Sequence, residues 1–61
     1  MGQQELARKL SELGYALVGP QDEDPRYNVW VRERDGRRIF VPGHSIVNDY
    51  TADRILTDAA R

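Results

Sequence analysis

Residues 26–41, "RYNVWVRERDGRRIFV", place two alternating apolar runs on either side of an Asp-Gly pair. Alternation with period two reads as strand, and Asp-Gly between two such runs is a strong short-range signal for a β-hairpin. The length of the connecting loop then decides which side chains share a face, because a slip of one residue carries a whole strand's side chains to the opposite side. A two-residue turn of Asp35 and Gly36 sets Val31 against Phe40 and Trp30 against Val41, mixing aromatic and β-branched residues on both faces. A three-residue loop, Arg34-Asp35-Gly36, with Gly36 left-handed, sets Val31 against Ile39 and Val29 against Val41. That register collects Val29, Val31, Ile39 and Val41 on one face and leaves Asn28, Trp30, Arg32, Arg38 and Phe40 on the other. A uniform aliphatic face suits a sheet covered by helices, so the three-residue loop is the expected one.

The flanking segments supply those helices. From Gln3 to Leu13 the apolar residues Leu6, Ala7, Leu10 and Leu13 recur at helical spacing, and Gly14 follows where a helix end needs a left-handed residue. "YALVG" then reads as a short strand, separated from the hairpin by "PQDEDP", whose two prolines cannot donate to a ladder. After Pro42 and Gly43 comes a loop, "HSIVNDY", then Thr51 as an N-cap, and a second amphipathic helix carrying Ala52, Ile55, Leu56 and Ala59. The expected architecture is one α+β domain spanning residues 1–61, in the order α-β-β-β-α. Its three-stranded antiparallel sheet carries both helices on one face and leaves the other open.

Sixty-one residues support one small core, and the absence of cysteine removes disulfides and thiolate metal sites. Nine basic and ten acidic residues give a formal charge of −1, so any basic site must be local, as in the arginine-rich centre of the chain. The longest apolar runs are far too short to span a membrane, which makes a cytoplasmic protein without membrane partners the expectation.

The helix segment "LARKLSELGY", the turn "DGRR", the stretch "IFVPGHS" and the closing "TADRILTDA" together resemble the HicA family of small toxins from toxin–antitoxin modules. The resemblance covers almost the whole chain; "DGRRIFVPGHS", with its Val-Pro-x-His, and the Thr-x-x-x-Ile-Leu pattern from Thr51 to Leu56 are its most specific pieces. It implies a double-stranded-RNA-binding-domain-like fold, a messenger-RNA endoribonuclease activity and a HicB-like antitoxin as protein partner, with no cofactor. The chain departs from the family at its catalytic histidine: counting back from Asp35, that position is Asn28. An asparagine amide accepts and donates hydrogen bonds but has no proton that titrates near neutral pH, so it cannot act as general acid or base.

His44, the only histidine, falls at the second histidine of the family pattern and is the one side chain of the type suited to proton transfer at neutral pH. The plainer reading is that it caps the loop before the second helix. Metal binding finds no support in one histidine without cysteine. Trp30 and Phe40, expected to pair across the strands with Arg32 and Arg38 beside them, suggest a stacking surface for unpaired bases, with Arg32, Arg37 and Arg38 holding phosphates. The alternative is a non-catalytic protein-interaction module centred on the same Trp30/Phe40 face, and a third reading is simple cross-strand stabilisation. The acidic run Asp22-Glu23-Asp24 reads as a solvated loop that repels RNA on its side.

Overall fold

A computed structural model describes all residues, 1–61. Helix α1 (Gln3–Glu12) leads into strand β1 (Tyr15–Pro20), the hairpin strands β2 (Tyr27–Arg32) and β3 (Arg37–Pro42), and helix α2 (Asp49–Ala59). The strands form one antiparallel sheet in the order β1-β2-β3, the expected α-β-β-β-α arrangement. Leu6 and Leu10 of α1 are completely buried, and they join Ala52 and Ala59 of α2 and Tyr15, Trp30, Ile39 and Val41 of the sheet in a single core. Both helices therefore cover one face of the sheet, with their remaining apolar residues Ala7, Ile55 and Leu56 at its margin.

Each helix starts and stops for a local reason. At the end of α1 the chain turns at Gly14, whose φ of +92° is a conformation that side chains resist. Helix α2 begins earlier than Thr51: Asn48 is its N-cap, its side-chain Oδ1 accepting from the Tyr50 N–H at 2.8 Å and the Thr51 N–H at 3.4 Å. Asparagine is among the strongest N-caps, and this one captures Asp49 and Tyr50 into the helix. The segment before it is pinned to α1: Gly2 bridges to Ile46, Gln3 N–H donates to Ser45 C=O, and Val47 enters the core.

The hairpin register differs from expectation by one residue. Arg32 pairs with Arg37, so the loop is four residues, Glu33–Gly36, and Trp30 lies opposite Ile39, Val29 opposite Phe40, and Val31 opposite Arg38. Strand β3 keeps its expected faces, with Ile39 and Val41 inward and Phe40 and Arg38 outward, but β2 is inverted. Trp30 is 7% exposed and Arg32 5%, both on the helix side, whereas Val29 and Val31 stand half-buried on the open side. The physical reason is area: an aromatic side chain withdraws about 150–250 Å² from water, more than a valine can, so burying Trp30 outweighs a uniformly aliphatic face.

Burying Trp30 forces Arg32 inward as well, and the turn is built around its guanidinium. Nε and Nη2 donate to the two oxygens of Asp35 at 3.0 and 2.7 Å, and Nη1 donates to the Ala59 carbonyl at 3.1 Å. The Tyr15 hydroxyl donates to that same carbonyl at 2.9 Å, and the guanidinium carbon lies 5.5 Å from the centre of the Tyr15 ring. A cation at the C-terminal end of α2 also meets the negative end of the helix dipole. Gly36, at φ +73°, closes the loop with its N–H on Arg32 C=O at 2.7 Å, and Asp35 accepts from Arg37 N–H at 3.2 Å.

Candidate functional site

The residues singled out from the sequence separate into three places. At one end of the sheet, Asn28 at the start of β2 lies beside the Gly43–Ser45 segment that leaves β3. Gly43 N–H donates to Arg26 C=O at 2.8 Å, and a β-carbon at Gly43 would sit 3.2 Å from that oxygen and 3.5 Å from the Asn28 amide nitrogen. A larger residue at 43 would have to push that oxygen back by a few tenths of an ångström, and the tight seat sets the exposed His44 one residue beyond the contact with Asn28. The start of α1 completes this end, with the Gln3 side-chain amide donating to Pro42 C=O at 3.0 Å. Arg26 is exposed here and grips Asp24 with Nε and Nη2, both at 3.0 Å. Hydrogen bonding from Arg26 holds the Asp24 carboxyl below its ordinary range.

A second group, at the hairpin end, is committed to the fold. Arg32 is enclosed by Asp35, Ala59 and Tyr15, and Arg37 pairs through Nη2 with Asp58 of α2 at 2.9 Å. Hydrogen bonds from Arg32 push the Asp35 carboxyl well below the usual carboxylate range, with the Arg37 N–H adding to the effect. The expectation that Trp30 stacks on bases and that Arg32 holds phosphate on the open face is therefore corrected: both side chains lie under the helices. Arg37 spends its charge on Asp58 rather than standing free.

The third place is the open face itself. Phe40 is 51% exposed there and Arg38 is exposed beside it, as expected; their companions are Val29 and Val31 rather than Trp30. A bulge in β1 between Leu17 and Gly19 adds Val18 to the group. Val18, Val29, Val31 and Phe40 line a groove of about 400 Å³, rimmed by Asp22 and Glu23 of the β1–β2 loop and by Arg38. Sequence reasoning missed Val18, Val29 and Val31 as surface residues; the available signal was that one face had to hold the tryptophan.

Chemically, the Asn28 end offers amide donors and acceptors, one imidazole and one arginine, a set able to bind polar groups. The open face offers apolar area edged by opposite charges. No cluster of three or more histidine, cysteine or carboxylate side chains is placed to hold a metal, and no helix is long and apolar enough to cross a membrane. No protein-family model, curated protein or solved structure matches this chain.

Proposed function

We propose that this domain is a HicA-like protein of a toxin–antitoxin module that contacts RNA without the family's histidine-driven cleavage. The observation that carries the reading is the convergence of Asn28 with the Gly43–His44 turn, the two positions at which the resemblance puts the family's histidines. The contact is local, made at one end of the sheet by Asn28, His44 and Arg26, whose exposed pair with Asp24 is weak enough to be exchanged for a phosphate, since a net charge of −1 gives no general attraction. Asn28 hydrogen-bonds a base edge or phosphate but moves no proton, leaving His44 as the one imidazole at this end.

Binding to single-stranded RNA across a salt series tests the reading. Affinity that falls as salt rises, with a slope of about one to three phosphate contacts, is the expected result. No binding at low salt refutes it. Asn28→His then asks whether a disarmed site is otherwise intact: gain of RNA cleavage supports the toxin ancestry, and absence of cleavage by that variant removes that support.

One observation favours a second reading, a non-catalytic protein-interaction module. Val18, Val29, Val31 and Phe40 form an apolar surface on the uncovered side of a small sheet, where a partner protein would gain more from contact than RNA.

A further inference from the structure

We infer that the open sheet face is a self-association surface, on which two copies of this chain pack face to face across a two-fold axis. The inference rests on the interaction reading of that face and is independent of RNA binding, because Asn28, two residues before the buried Trp30 in β2, shares its side of the sheet and not the open face.

The argument for a second copy as occupant is the arrangement of charge around the apolar centre. Val29 and Val31 lie on the middle strand, with Val18 on one edge strand and Phe40 on the other. Asp22 and Glu23 follow the end of β1, which pairs with the start of β2 at Asn28; Arg38 lies on β3 opposite Val31, towards the hairpin turn. Acid and base therefore occupy diagonally opposite corners of the face. A two-fold axis lying in the contact plane, perpendicular to that diagonal, exchanges the two corners. Each copy's Asp22 and Glu23 then meets the other's Arg38, while Phe40 and the valines close over one another. Such an operation crosses the strands of the two sheets steeply, one of the two common ways in which sheets stack. An isologous contact must be complementary to itself in this manner, and the near-zero net charge lets two copies approach without mutual repulsion.

Size sets the expected strength. The 28 × 24 Å outline of the molecule bounds the face at about 670 Å² per copy, so the pair buries at most about 1,300 Å², the small end of specific interfaces. The association is thus a weak, reversible one.

Sedimentation equilibrium of the whole chain, carried up to about 1 mM where complexes of this size are populated, is the test. Concentration-dependent dimer is expected, and Phe40→Asp is expected to raise its dissociation constant about 30-fold or more, as loss of a central aromatic contact does. Arg38→Glu and the double variant Asp22→Lys/Glu23→Lys are each expected to be monomeric alone and to form a dimer when mixed in equal amounts, because each then supplies the charge the other lacks. All four substituted residues are solvent-exposed, and unchanged far-ultraviolet circular dichroism verifies that the variants fold. A chain that stays monomeric throughout, a dimer indifferent to Phe40→Asp, or a mixture that fails to pair overturns the inference. Binding of the apolar dye ANS separates the two levels of the argument. A monomer that binds dye through Phe40 loses only the second copy as occupant, whereas a monomer whose dye binding ignores Phe40→Asp also loses the interaction reading.

Discussion

Replacing Trp30 by alanine tests the inverted register directly. Its side chain is 93% removed from solvent, lies opposite Ile39, and shares the core with Leu6 and Leu10. At about 25 cal/mol per Å², the 150–250 Å² withdrawn by an aromatic of this kind corresponds to about 4–6 kcal/mol, and measured aromatic-to-alanine changes in cores cost about 3–5 kcal/mol. A domain of this length has a total stability of about 3–9 kcal/mol, so Trp30→Ala should leave much of the population unfolded at 25 °C. Val31→Ala, on the open face, should cost about 1 kcal/mol or less, and Phe40→Ala should likewise be mild. Urea unfolding followed by far-ultraviolet circular dichroism measures all three without relying on the tryptophan signal. In the unmodified chain, Trp30 emission should be blue-shifted and resistant to iodide, and both properties should vanish on unfolding. If Val31→Ala proves more damaging than Trp30→Ala, the four-residue loop is wrong and the aliphatic face is the core after all.

Further expectations concern the turn and the caps. The folded-state pKa of Asp35 lies below its unfolded value of about 3.9, so its contribution to stability is fully present above that value and is lost as pH falls through the folded pKa. The urea midpoint should accordingly drop on acidification below about pH 4, and Asp35→Asn should lower the midpoint at neutral pH while flattening the acid limb. Gly36→Ala, forcing a β-carbon into a backbone at φ +73°, should destabilise by about 1–2 kcal/mol in thermal unfolding. Asn48→Ala should remove about 0.5–2 kcal/mol and fray the first turn of α2, seen as faster amide exchange at Tyr50 and Thr51.

The order of elements was legible in the sequence because each boundary carries its own chemistry: the Leu6/Leu10 spacing, Gly14 at the end of α1, two prolines around the acidic loop, and Asp-Gly at the hairpin. The faces of β2 were harder to read, because alternation constrains which residues lie together but is blind to which set goes inside. Weighing the two faces by uniformity favoured Val29 and Val31; weighing them by area would have favoured Trp30, and the cost of taking Arg32 inward becomes visible only when Asp35 and the distant Ala59 carbonyl are seen to receive it. The cap at Asn48 was masked by Thr51, an equally plausible N-cap three residues on. At the Asn28 end, the juxtaposition with Gly43 depends on contact between residues fifteen positions apart, which no local pattern reports.

The carbonyl of Ala59 receives the Tyr15 hydroxyl and the Arg32 guanidinium together, joining three segments that are 44 and 27 positions apart along the chain. During synthesis, β1 and the hairpin reach the solvent well before their common acceptor does. Until Ala59 clears the ribosome, the guanidinium has only Asp35 to satisfy it beneath the sheet, and the tyrosine hydroxyl lacks its partner. The domain is therefore expected to close in one late step once α2 has emerged, rather than strand by strand as each is made.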